Sequence, residues 1–121
     1  NGRMYIQENN QKKYIVKTRE EFNCLIKTGI CSKNKYFVIY HLPNNKSYDR
    51  FGISVGKKIG NAVTRNKYKR KIRSIIDKYR KDYINYQDYI IILRGSALSA
   101  SFQDLEESLI FLLKKEKPHE Q

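Results

Sequence analysis

Two periodicities alternate along the chain and predict its elements. Thr18-Arg19-Glu20-Glu21 has capping-box spacing, and Phe22, Leu25 and Ile26 form an apolar stripe behind it, so a helix is expected to run to a C-terminal stop at Gly29. Lys13–Lys17 reads as a short extended piece ahead of it. Lys35–Leu42 (KYFVIYHL) is rich in aromatic and branched residues and predicts a strand. Pro43-Asn44-Asn45 supplies a turn, and Arg50–Gly56 alternates as a second strand with Phe51, Ile53 and Val55 inward. From about Asn61 to Lys81 the period becomes helical, with Tyr68, Ile72, Ile75, Ile76 and Tyr79 on one arc. Asp88–Arg94 (DYIIILR) is apolar enough for a buried central strand, and Gly95 breaks it. Ser99 or Ser101 can cap a last helix whose Phe102, Leu105, Leu109, Leu112 and Leu113 face the core.

A hairpin of two strands, then helix, strand and helix, implies an α+β layer structure with helices on a small mixed sheet. Phe37, Ile53, Val55, Ile72, Ile76, Ile91, Leu93, Leu105 and Leu109 should be mostly buried. At 121 residues the chain is expected to be a single domain, residues 1–121, with 1–11 and 117–121 flexible and Met4 a natural start.

Charge changes the picture most. There are 25 Lys and Arg against 12 Asp and Glu, a formal net charge of +13. Such an excess points to a polyanionic partner. No run is long and apolar enough for a membrane span, and no apolar block follows Asn1 as in a signal peptide, so a soluble, cytoplasmic protein with no membrane role is expected. Eight of the 25 cations lie within Lys57–Arg73 (KKIGNAVTRNKYKRKIR), with no acid among them. On a helical wheel Arg65, Asn66, Lys69, Arg70 and Arg73 fill the arc beside the apolar one. Solvated helix faces normally intersperse acids, so this arc reads as a nucleic-acid face. Gly56 and Gly60 flank a turn into it, but the Gly-Lys-Ser/Thr of a phosphate-binding loop is missing. The glycines read as a close turn from strand to helix.

Catalytic chemistry is sparse. Cys24 and Cys31 have no C-x-x-C spacing, His41 and His119 are far apart, and no carboxylates cluster as metal ligands, so no metal site and no catalytic residue is expected in the protein. Strand alternation puts Tyr36, Val38 and Tyr40 opposite Phe37 and Ile39. If the latter pair enters the core, the tyrosines are either free to stack bases or cover a core edge.

The segment Val55–Arg73 resembles the signature of the protein subunits of bacterial ribonuclease P: a lysine pair (Lys57-Lys58), Gly60-Asn61-Ala62-Val63, Arg65-Asn66-Lys67, Lys69-Arg70, and Arg73 one turn on. Weaker likeness extends over about residues 12 to 113. The resemblance implies an α/β sandwich of three helices and a four-stranded mixed sheet, with the basic helix in a left-handed βαβ crossover. It implies a protein cofactor of a ribozyme. The ribonuclease P RNA and its magnesium ions hydrolyse precursor tRNA to remove the 5′ leader, and the protein, which itself holds no cofactor, joins that RNA 1:1. Carried over by position, the RNA-contacting set is Lys57, Lys58, Asn61, Arg65, Asn66, Lys67, Lys69, Arg70 and Arg73. The leader cleft is Phe22, Ile26, Tyr36, Val38, Tyr40, Ser54 and Arg94. Three positions depart from the family: Lys67 stands where Arg is frequent, Gly56 where Ser is frequent, and Ile26 where many members have Phe. The alternatives are a structural, ribosomal-type RNA-binding protein of the same fold, and a DNA-binding protein, which would want a helix-turn-helix pair.

Overall fold

A computed structural model describes residues 18–115. The extended piece expected at Lys13–Lys17, the flexible ends and His119 lie outside the described residues.

The first helix, α1 (Arg19–Thr28), begins at the predicted capping box. The Glu21 amide donates to Thr18 Oγ1 at 3.0 Å, and the Thr18 amide donates to Glu21 Oε1 at 3.3 Å, so two otherwise orphaned donors are satisfied. Gly29 does stop the helix, though not through a left-handed residue: its backbone is extended (φ −76°). A Cβ there would lie 2.5 Å from the Leu25 carbonyl and 3.1 Å from that of His41, so the chain can turn this tightly only without a side chain.

The strands are β1 (Ile30–Lys33), β2 (Phe37–Pro43), β3 (Arg50–Ser54) and β4 (Gln87–Leu93), in the order β1-β2-β4-β3. This corrects the expected hairpin. β2 pairs antiparallel with β1 and β4, whereas β3 pairs parallel with β4 and does not touch β2. The reason lies in β4, whose Tyr89, Ile90 and Ile91 are all fully buried. A strand apolar on both faces must be covered on both sides and flanked on both edges. The real hairpin joins β1 and β2 at Asn34, whose Oδ1 accepts the amides of Tyr36 and Phe37.

The parallel β3–β4 pair needs a crossover, and α2 (Ala62–Arg80) provides it. Its Tyr68, Ile72, Ile75, Ile76 and Tyr79 are all buried, as the wheel requires. With α3 (Phe102–Lys115) it covers the sheet face carrying Phe37, Ile39, Phe51, Tyr89, Ile91 and Leu93. Of the nine residues expected inside, eight are buried and Ile53 is half-buried against the same core. Ser101 is the α3 cap, exchanging hydrogen bonds with Asp104. Phe102, expected in the core, is instead 42% exposed, because it precedes the first inward position, Leu105.

A polar knot joins the end of α2 to the start of β4. Buried Asp49 accepts the amides of Asn85 (2.9 Å) and Gln87 (2.7 Å), gripping Tyr86 between them in the left-handed region at φ 61°. Asn85 Nδ2 donates to the hydroxyls of Tyr79 and Tyr89 at 2.9 and 2.7 Å. Among the described residues, the opposite sheet face is covered by α1. Leu25 packs on Ile90, with Phe22, Tyr40, Leu42 and Ile92 half-buried around them.

Candidate nucleic-acid interface

The entry to α2 is built by two residues with opposite tendencies. Buried Ile59 pins a single helical turn, Lys57–Ile59, to the core and leaves Lys57 and Lys58 exposed. Gly60 then takes φ 155°, and a Cβ would meet Thr64 Cγ2 at 3.0 Å, so this position needs glycine. Gly56 has open space around it and an ordinary φ of −74°, so nothing here requires glycine in place of the family's frequent Ser. Asn61 is the N-cap: its Oδ1 accepts the Thr64 amide at 2.9 Å, so that oxygen serves the helix. Arg65 Nε donates to the Gly60 carbonyl at 3.2 Å, tying the guanidinium back over the turn.

Asn66, Lys67, Arg70 and Arg73 are exposed, and Arg65 and Lys69 are half-buried. The ion pairs on α2 among the described residues lie in its last turns, Lys78–Glu106 and Arg80–Asp77. The sequence-predicted cations of α2 are therefore brought together on one side of it, with Lys57 and Lys58 in the turn before, and none of them makes an ion pair among the described residues. That is the geometry in which guanidinium forks and ammonium groups meet phosphate oxygens.

The other predicted set divides. In the register of the sheet, Val38, Ile92 and Ser54 form one row across β2, β4 and β3, and Tyr40, Ile90 and Gly52 form the next. Phe22 flanks the second row from α1, and Ile26 is exposed beside it. The result is an apolar trough with α1 as its wall. Tyr36 does not join it. It precedes β2 and packs against the main core on the far side, which corrects its expected place beside Tyr40. Arg94 Nη1 donates to the Asn34 carbonyl at 2.7 Å, so its head is held at the β1–β2 turn.

One group was missed in the sequence. Arg50 Nε and Nη2 grip both oxygens of Asp88 at 2.9 and 2.6 Å, while Nη1 reaches Glu21 at 3.2 Å. This fork links β3, β4 and α1 at the end of the trough. Burial pushes the Asp88 carboxyl upward, but the Arg50 fork, the Asn44 amide and the charge of Lys46 outweigh it and hold it below the usual carboxylate range. Arg50 opens β3, Asp88 is the second residue of β4, and they pair across the parallel register, a partnership invisible until the strand order is known.

His41 is buried with Nδ1 2.8 Å from Gln87 Oε1. Among the described residues no three His, Cys, Asp or Glu side chains come together as a metal cage, and no helix is long and apolar enough to cross a membrane.

A cationic helix face built from the acid-free run Lys57–Arg73 on one side of a four-stranded sheet and an apolar trough on the other define an RNA-binding α+β sandwich. Comparison with known proteins makes this particular. The ribonuclease P family model matches residues 11–117, and the chain belongs to that family. It is 43% identical over 104 residues to the ribonuclease P protein component of Streptococcus pyogenes serotype M5 (strain Manfredo), covering 86% of this chain and 87% of that one. With the component of Streptococcus pneumoniae (strain Hungary19A-6) the identity is 36% over 111 residues, covering 92% and 90%. A Staphylococcus aureus RNase P protein mutant with defective mRNA degradation activity superposes with a TM-score of 0.85 at 37% identity, covering 93% of this chain and 95% of that one. The Thermotoga maritima RNase P protein gives 0.78 at 31% identity, covering 84% and 96%. The ribosomal-type alternative is not favoured.

Proposed function

We propose that this chain is the protein cofactor of a ribonuclease P ribozyme, the endoribonuclease that removes 5′ leaders from precursor tRNA. The observation that carries the reading is the cationic side of α2, whose predicted cations make no ion pair among the described residues and which follows a turn whose glycine cannot be replaced without strain. Lys57, Lys58, Arg65, Lys67, Lys69, Arg70 and Arg73 hold the phosphates of the catalytic RNA, one protein per RNA, in the cytoplasm. Asn61 orders the helix start and Asn66 contributes its amide. The trough of Phe22, Ile26, Val38, Tyr40 and Ser54 takes the extended 5′ leader, whose bases stack without sequence readout. Phosphodiester hydrolysis belongs to the RNA and its magnesium ions, and the protein lowers the magnesium the holoenzyme needs by neutralising phosphate at the junction.

Reconstitution with a bacterial ribonuclease P RNA tests this directly. At low magnesium the protein should stimulate leader removal, and without the RNA it should cleave nothing at any magnesium concentration. Specific cleavage by nuclease-cleared protein alone would refute the division of labour.

A further inference from the structure

Toward its C-terminal end, α2 meets α3 in a groove of about 610 Å³, lined by Arg70, Arg73 and Lys78 from α2, by Lys81 just after it, and by Phe102 and Glu106 from α3. Two acids reach the groove, and both are engaged: Glu106 lies 2.5 Å from Lys78 Nζ, and Asp77 lies 3.0 Å from Arg80. Arg70, Arg73 and Lys81 are exposed and have no ion-pair partner among the described residues. Phe102 opens α3 as a residue 42% exposed, beside Arg70, Arg73 and Lys81 in the groove. Beyond Phe102 the surface of α3 turns to Glu106, Glu107 and Phe111, and its Lys114 is set over the Tyr83 ring at 5.1 Å. The groove thus has cations along α2 and an aromatic face where the cations stop.

We infer that this groove is a second seat for RNA, running on from Arg70 and Arg73 of the family motif to Lys81 and Phe102, and separate from the trough. It holds an unpaired stretch of the catalytic RNA, with phosphates on Arg70, Arg73 and Lys81 and one base stacked on Phe102. The inference rests on the functional reading above. The base must be unpaired, since a ring in a duplex is already stacked on its neighbours. The catalytic RNA is the occupant because the sheet separates the two sites. α2 and α3 pack on the face of Phe37 and Ile39, whereas the trough is on the face of Val38 and Tyr40. A leader lying in the trough would have to wrap a sheet edge to reach Phe102.

The chain contains no tryptophan, so Phe102→Trp introduces a single reporter. Titrating it with a bacterial ribonuclease P RNA should quench the introduced indole and saturate at one RNA per protein. Phe102→Ala should weaken binding to that RNA on the order of 5- to 150-fold, the range for one stacked base, without altering the salt dependence. Phe102→Tyr should bind within about twofold of the parent. Lys81→Ala should reduce the salt slope by about one. An unquenched indole at saturating RNA overturns the inference, as does parental affinity in Phe102→Ala. A loss in Phe102→Ala seen only on leader-bearing precursor tRNA also overturns it, because the occupant would then be substrate. If Arg65→Ala/Arg70→Ala loses RNA while the Phe102 variants are silent, the groove falls and the functional reading stands. If the parent protein neither binds nor stimulates the RNA, the functional reading fails and takes the groove with it.

Discussion

At the scale of single residues, identical amino acids in one turn carry different obligations. Gly60 sits at φ 155° and ψ −166°, a region open essentially to glycine alone, while Gly56 is ordinary extended backbone in open space. Gly60→Ala should cost about 1–3 kcal/mol of strain, lowering the melting temperature and loosening the start of α2, whereas Gly56→Ser should leave both melting and RNA binding unchanged. Thermal denaturation of the pair decides it, and equal melting temperatures would mean the turn relaxes freely. The arginines differ in the same way. Arg70 is exposed and contacts only solvent or partner, but Arg65 also holds the Gly60 carbonyl. Arg70→Ala should weaken assembly with the RNA, lessen the salt slope by about one and leave stability alone. Arg65→Ala should do the same and also lose about 0.5–1.5 kcal/mol, the worth of one hydrogen bond. Side-by-side salt titrations and denaturant melts separate the two effects.

At the scale of elements, α1 is the most lightly buried of the three long helices, because Leu25 alone among its residues is buried. Leu25→Ala removes that anchor from Ile90 and should cost about 2–5 kcal/mol, releasing the wall of the trough while α2 and its cations stay in place. Hydrogen exchange should show α1 amides losing protection ahead of those of α2, and uniform loss would mean the two faces unfold as one. The end of α2 gives a pH test. Burial, only partly offset by the Asn85 amide, raises the Tyr79 hydroxyl from 10.0 to about 12. A raised folded-state value favours the protonated form, so the contribution is complete below pH 10 and is lost as pH climbs toward about 12. Tyr79→Phe should remove that part of the alkaline decline, seen as a flatter stability curve between pH 10 and 12. These elements also show what the sequence discloses. The helices were legible because capping chemistry and 3.6-residue periodicity are local, and the cationic arc of α2 needed only a wheel. β1 was missed as a residue pattern because Ile30-Cys31-Ser32-Lys33 is short and half polar, and an edge strand needs no more. The β2–β3 hairpin was misread because pairing is settled by which strand must be buried on both faces. Tyr36 and Phe102 were misplaced for a shared reason: Tyr36 lies one step before β2 and Phe102 is the first residue of α3, and at an element's edge its period no longer governs the side chain.

At the scale of the whole molecule, the sheet keeps two kinds of recognition apart. Cations on the α2 side act on any phosphate and weaken with salt, as counterion release requires. The trough on the α1 side is apolar, with Tyr40, Phe22 and Ile92 half-buried around Leu25, and its contribution should be nearly indifferent to salt. A protein arranged this way can bind its RNA permanently through one face and sample substrate through the other. Mature tRNA has no leader, so a trough that takes the leader, as proposed, would add affinity for substrate and none for product, which would favour release of what the holoenzyme makes. Tyr40→Ala should therefore cost about 1–3 kcal/mol on leader-bearing precursor tRNA, the value of one stacked base, and leave mature tRNA binding as before. Tyr40→Phe keeps the ring and its packing on the Leu25–Ile90 cluster, so it should behave as the parent on both RNAs. Arg70→Ala, acting through the other face, should weaken assembly with the catalytic RNA without changing the ratio between precursor and product. Measuring the two tRNAs against each holoenzyme at two salt concentrations separates the faces. Equal losses on both tRNAs for Tyr40→Ala would place Tyr40 in support of the fold or of the catalytic RNA, and the leader would have to lie elsewhere.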